Sequence, residues 1–366
     1  MSKTVLVAGA SGVVGQAAVE HFAGMPDWTT IAVSRRAPLV RASRSWRHVP
    51  LDLTDAAACR AAVAGLPRVT HVVYGALHEK PELVAGWRDP EQMATNLAML
   101  RNLLEPLVEL GQLEHVTLLQ GTKAYGVHLR RIAVPARERW PRDDHANFYW
   151  LQEDFLREIS GREKFGFTIF RPQIIFGDAI GAAMNIMTVL GAYAAIRREE
   201  GLPFSYPGGS DYLLEAVDAR LLARAFAWAA ETPSARGETF NFTNGDVFVW
   251  RNVWPAIASA LTTPAGPPEA LRLAEYLPAR ANIWRSIAKR NGLVEPDIEK
   301  LMGRSAEYAD YCMASLTDRA APPALVSTIK IRQAGFGDCI DTEDMFRDLF
   351  AAMIEKRILP SSRSFA

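Results

Sequence analysis

Apolar residues fall in short, nearly unbroken runs, separated by stretches where they recur every three to four positions. This alternation predicts strands buried on both faces, set between amphipathic helices. The first run, residues 4–8, leads into a glycine-rich turn and a helix through 17–22. Further strands are predicted at 29–34, 48–51, 71–74, 115–120 and 167–170, with helices over 91–110 and 149–159. Residues 52–55 read as a loop and helix cap. The order implies an α/β fold, a doubly wound parallel sheet of the Rossmann type.

After Gly177 the rhythm changes. A long helix over 182–200 precedes a Pro/Gly-punctuated loop at 201–209, then a helix at 222–230 and a strand at 239–243. Residues 244–366 read as mostly helical, broken by Pro-rich stretches at 263–268 and 320–324. The expected layout is a nucleotide-binding domain over 1–178, to which 210–243 contribute. A smaller, mostly helical substrate cap interleaves with it, built from 179–209 and 244–366.

Composition narrows the class. The 366 residues are 49% hydrophobic, enough for a sizeable core, yet no apolar run approaches the ~20 residues that span a bilayer. Lys+Arg and Asp+Glu balance at 41 each, which leaves no global field for nucleic acid or an anionic membrane. Met1-Ser2-Lys3-Thr4 runs straight into the first strand, and the expectation is a cytoplasmic protein with no signal peptide. Cys59, Cys312 and Cys339 have neither metal-ligand spacing nor a disulfide framework, so reduced thiols and no metal are expected. The partner to expect is a small molecule, with a homodimer as the assembly to test.

Candidate chemistry starts at the turn after the first strand. Gly9, Gly12 and Gly15, with Ser11, Val13 and Val14 between them, open the first helix. The first glycine allows the tight turn, the second lets a pyrophosphate reach backbone N–H groups, and the third lets helix and strand pack closely. At the end of the second strand, Ser34-Arg35-Arg36 stands where an NAD site places a carboxylate for the ribose 2′-hydroxyl. Guanidinium forks suit a 2′-phosphate, so NADPH is the expected cofactor. Asp52 and Leu53 are placed at the adenine, and Gly75 and Ala76 beside the adenosine ribose.

Two later segments complete the picture: Gly121-Thr122-Lys123-Ala124-Tyr125, and Asn147-Phe148-Tyr149-Trp150-Leu151-Gln152-Glu153-Asp154. With Asn96–Asn102, Arg171-Pro172-x-x-Ile175-Phe176-Gly177, Met184-Asn185, Tyr193–Ile196 and Asn244–Trp250, they resemble the progesterone 5β-reductase / iridoid synthase family of atypical extended short-chain dehydrogenases. The likeness runs over nearly the whole chain. Ordinary short-chain reductases carry Tyr-x-x-x-Lys on one helix; here the residue four after Tyr149 is Glu153, and the lysine stands at 123. The resemblance implies hydride addition to the β-carbon of an α,β-unsaturated carbonyl compound, with Tyr149 and Lys123 as catalytic residues. Gln120, Lys123, Tyr149, Pro172 and Ile175 are then expected around the nicotinamide, and Tyr125, Leu129 and Met184 around the substrate. Plant members follow the Lys-His-Tyr motif with Gly-Pro-Phe, whereas this chain has Gly126-Val127-His128-Leu129, so an aromatic pocket wall is expected to be lost near Leu129. Glu153 and Asp154 read as a solvated helix face, and His128 and His145 as loop histidines. The competing readings are a 1,2-carbonyl reductase, a sugar-nucleotide epimerase or dehydratase, and a non-catalytic NADPH sensor.

Overall fold

A computed structural model describes residues 3–41, 46–80, 86, 88–317 and 322–361, so part of the proline-rich break expected at 320–324 lies outside the described residues. Strands occur in chain order as β1 (Lys3–Ala8), β2 (Trp28–Ser34), β3 (Arg47–Pro50), β4 (His71–Tyr74), β5 (His115–Leu119), β6 (Gly166–Pro172), β7 (Ile174–Phe176), β8 (Phe204–Ser205), β9 (Ala216–Asp218), β10 (Glu238–Phe242) and β11 (Ala265–Gly266). The chain divides into two compact units. The first comprises Met1–Gln173, Ala219–Phe242 and Val326–Asp338; the second comprises Ile174–Asp218, Thr243–Leu325 and Cys339–Ala366.

The first unit holds a seven-stranded sheet in the order β10-β6-β5-β4-β1-β2-β3, every pair parallel. The apolar runs explain this: β4 is buried along its whole length, and β1 in all but its first residue. Leu6, Val33, Val72 and Leu118 meet the helices Ala56–Ala64, Pro90–Glu109 and Phe148–Glu163 in one core through Cys59, Leu100, Leu104 and Leu156. Strand order reverses between β1 and β4, and in such sheets the crevice at that switch point receives the ligand.

Helix starts are fixed by side-chain caps. Asp55 accepts from Ala58 N, Asp89 from Gln92 N just ahead of Pro90, and Asn147 from Tyr149 N. The boundaries depart from the expected layout: residues 174–178, 210–218 and 243, assigned from sequence to the nucleotide-binding domain, fall in the second unit, and one later return goes the other way. Residues 326–338, assigned from sequence to the cap, cluster with the first unit, where Phe336 packs on Phe242 and Trp228. Asn241 of β10 latches this segment by donating to the carbonyls of Ala136 and Ser327, at 3.1 Å each.

In the second unit the helix expected from 182 begins at Ile186. Asn185 caps it, accepting from Met187 N while donating to the carbonyls of Gly177 and Ala179. Phe176, Phe248, Trp250 and Phe346 meet edge-on in its core, and Phe204 stacks on Trp254 at 4.4 Å. Two short parallel pairs, β7 with β9 and β8 with β11, join the helices. No described helix is long and apolar enough to cross a membrane.

Candidate active site

The glycine turn has the geometry that its spacing predicts. Gly9 has φ +79°, and a Cβ there would lie 2.7 Å from the backbone of Gly75 and Ala76, so the end of β4 packs directly on the turn. A Cβ on Gly15 would meet Gly9 O at 2.1 Å, which forces helix and turn together. The helix Val13–Gly24 starts at Gly12 with no side-chain cap and no acidic residue in its first turn. Its first N–H groups are therefore presented as donors, the set that a pyrophosphate requires.

At the neighbouring strand end, Ser34 is buried and its hydroxyl donates to Arg36 O at 2.6 Å. Arg35 and Arg36 are exposed, and the Arg35 charge helps to lower the Asp52 pKa behind the larger effect of the Thr54 hydrogen bonds. Arg35 and Asp52 thus share one rim. Leu53 does not join it, because its side chain packs into the sheet core and its carbonyl accepts from Asn102.

Lys123 and Tyr149 come from different elements, and the Tyr149 hydroxyl lies against the glycine that precedes the Lys123 turn. Lys123 sits in a 3₁₀ turn, Thr122–Tyr125, that follows β5. Tyr149 lies in the first turn of its helix, and its hydroxyl would be 3.1 Å from a Cβ on Gly121. Asn147 joins the two elements: its Oδ1 caps Tyr149 N at 3.0 Å while its Nδ2 donates to Lys123 O at 3.4 Å. The same Nδ2 lies 3.1 Å from His145 Nε2, and His145 Nδ1 lies 2.6 Å from Asp143. Asn147 spends its oxygen as the cap, so its nitrogen is the donor; His145 then accepts at Nε2 and donates from Nδ1 to Asp143. The pair is electrostatically opposed to ordinary titration. Burial pulls the Lys123 amine down to about 8, against the opposing charge of Glu79. Burial and then Glu79 push the Tyr149 phenol well above its usual range, with Arg171 acting the other way.

Glu153, expected on a solvated face, is buried instead. It occupies the place of the missing lysine and accepts from Gln120 Nε2 at 2.8 Å and Arg157 Nε at 3.0 Å. Arg171 Nε in turn donates to Gln120 Oε1 at 2.8 Å, and its guanidinium lies over the rings of Tyr125 and Trp150. A buried carboxylate persists only when paired and hydrogen-bonded. Here the partners are Gln120 just past β5, Arg157 on its own helix and Arg171 of β6. The side chain of Gln120 is thereby engaged inside the protein. Tyr125 is also committed: its hydroxyl donates to Asn241 Oδ1 at 2.7 Å, so only the ring remains to line a pocket. His145 is similarly built into the Asn147 cap. Leu129 is half-buried, and Pro172 closes β6 with its carbonyl 3.7 Å from a Cβ on Gly121. Ile175 in β7 and Met184, just ahead of the Asn185 cap, are half-buried residues of the second unit. Among the described residues no group of His, Cys, Asp and Glu could hold a metal ion.

Comparison with known proteins bears on the whole chain. A family model described as the PRISE-like Rossmann-fold domain matches residues 5–360. A 3-oxo-Δ4,5-steroid 5β-reductase of Arabidopsis thaliana is 33% identical over 315 residues, 81% of this chain and 79% of that protein. An (S)-8-oxocitronellyl enol synthase of Catharanthus roseus is 28% identical over 358 residues, covering 92% and 89%. Among solved structures, UDP-glucose 4-epimerase from Bifidobacterium longum, in complex with NAD+ and UDP, superposes with a TM-score of 0.66 at 14% identity, covering 97% and 98%. That likeness speaks to fold.

Proposed function

The chain belongs to the PRISE-like Rossmann-fold family and is an oxidoreductase, and within that family we propose that it is an NADPH-dependent reductase of α,β-unsaturated carbonyl compounds. The bound dinucleotide supplies the hydride that adds to the substrate β-carbon. The turn from Gly9 to Gly15 would hold its pyrophosphate, and Arg35 and Arg36 its 2′-phosphate, by charge-assisted bonds.

Addition at the β-carbon moves negative charge onto the carbonyl oxygen as an enolate. The site must aim a donor at that oxygen in a place of low dielectric. Tyr149 is that donor. Its raised pKa keeps it a phenol at neutral pH, with the Arg171 charge acting the other way, and Lys123, in the turn that follows Gly121, is assigned the supporting positive charge. An enolate needs a hydrogen bond more than a completed proton transfer, so a phenol that resists ionisation fits this reaction better than full protonation of an alkoxide. Glu153 argues against epimerase chemistry: the spacing that would carry the usual lysine carries a carboxylate paired with Gln120 and Arg157.

The single observation that carries the reading is the approach of the Tyr149 hydroxyl to Gly121, the residue that opens the Thr122–Tyr125 turn of Lys123. The test is turnover of 2-cyclohexenone with NADPH by the wild type and Tyr149→Phe. The wild type should give the saturated ketone, and the variant should lose ~10²-fold or more in kcat, as when an oxyanion donor is removed. Isolation of the allylic alcohol would refute the assignment.

A further inference from the structure

One carboxylate acts on both members of the proposed pair. Glu79 lies on the segment that leaves β4, and Lys123 on the segment that leaves β5. The two strands are parallel neighbours with Tyr74 opposite Leu118, and each residue stands five positions beyond its partner in that register. They therefore leave the same end of the sheet in step.

The Glu79 loop is held in place by side chains of the helix Pro90–Glu109. Gln92 Nε2 donates to Glu79 Oε2 at 2.9 Å while Gln92 Oε1 accepts from Lys80 N at 2.7 Å. One turn on, Asn96 clasps His78 through both its N–H and its carbonyl, at 2.9 Å each. Gln92 and Asn96 are fully buried, and Gln152, from the helix that carries Tyr149, donates to Asn96 O at 2.8 Å. A loop of solvated charges needs no such support.

We propose that Glu79 is a positioning residue of the reductive site, a fixed carboxylate that holds positive charge on the Lys123 amine. This rests on the reading of Tyr149 and Lys123 as the working pair. Glu79 raises the pKa of both groups, opposing burial at Lys123 and reinforcing it at Tyr149. Without the carboxylate, burial alone would carry the amine further towards neutrality at physiological pH, and the phenol would ionise more readily. Among the described residues, Arg171 also acts on Tyr149, and His128 stands beside Lys123. Behind His128 stand His145, Arg88 and Asp143, and burial with the Lys123 charge holds His128 itself down at about 4. His128 is thus neutral in the range where Lys123 titrates, and among the described residues Glu79 is a carboxylate that acts on the amine.

The test compares kcat for NADPH-dependent 2-cyclohexenone reduction against pH in the wild type, Glu79→Gln and Glu79→Asp. Activity in the wild type should fall as pH rises through about 8. In Glu79→Gln that limb should move down by about one unit, the size of shift that one nearby opposite charge confers. Glu79→Asp keeps the charge and should retain the limb. In parallel, NMR of lysine labelled with ¹³C at Cε reads the amine directly, with the Lys123 signal assigned by Lys123→Arg. A Lys123 pKa that is equal in wild type and Glu79→Gln overturns the proposal, whether or not enones turn over. Wild-type protein with a shifted Lys123 pKa in Glu79→Gln but no enone turnover would sink the reaction and keep the electrostatic pairing.

Discussion

Gly121→Ala is the most searching substitution, because it perturbs the hydroxyl of Tyr149 without removing it. Gly121 has extended backbone angles, φ −176° and ψ −176°, so an alanine faces no left-handed strain. Its Cβ would stand 3.1 Å from the Tyr149 oxygen, where ordinary contacts start at 3.4 Å, so the phenol must retreat by a few tenths of an ångström. Removing an oxyanion donor outright costs ~10²–10³ in kcat, and a 1 Å misplacement costs ~10². A shift of this size is expected to cost about tenfold in kcat. The assay is steady-state reduction of 2-cyclohexenone, with NADPH affinity followed separately by fluorescence and expected to hold. The decisive arm repeats Gly121→Ala in a Tyr149→Phe background. With the hydroxyl gone there is nothing for the new methyl to displace, and kcat should fall no further. Equal losses in the two backgrounds would refute the placement of Tyr149 as the source of the effect.

Other expectations follow from the same contacts. Arg35→Ala with Arg36→Ala should weaken NADPH much more than NADH, measured by titration with each; equal weakening removes the 2′-phosphate argument. Glu153→Lys restores the Tyr-x-x-x-Lys spacing but sets a cation beside Arg157, Arg142 and Arg171. Chemical denaturation should show a loss of ~3–5 kcal/mol, the cost of breaking a buried pair, and no gain in activity. His71 and His115, side by side in β4 and β5, are held by burial at about 4 and about 3. The unfolded chain binds protons at these sites below their ordinary 6.5, so their contribution is complete above that pH and declines below it. The slope is about 1.4 kcal/mol per pH unit for each histidine, ending near the folded value of each. His71→Gln should flatten the measured pH dependence of stability by one such slope between pH 6 and 4.

The parallel sheet was legible because its strands are buried on both faces, and buried parallel strands are nearly continuous apolar runs. Residues 71–74 were delimited to the residue, and β1, β2, β5 and β6 to within two. Helix 182–200 was started four residues early, since its small apolar lead-in looks helical and only the Asn185 cap ends the ambiguity. Local motifs singled out Tyr149, Lys123 and the glycine turn as candidates. What escaped were roles created by partners distant in sequence. Glu153 has the pattern of an exposed helix position until Gln120 and Arg171 arrive from β5 and β6. Tyr125 loses its hydroxyl to Asn241, more than a hundred residues away. Glu79 left no periodic signal at all, as a charge in a loop has none. Its significance comes from the register of β4 with β5 and from Gln92, neither of which is local.

Hydride is proposed to add to the β-carbon of the enone and not to its carbonyl carbon. This is tested most directly with NADPH carrying deuterium at the transferable C4 position and 2-cyclohexenone, with the product examined by NMR. The expected product is cyclohexanone with deuterium on the β-carbon. Deuterium on the carbinol carbon of 2-cyclohexenol would contradict it.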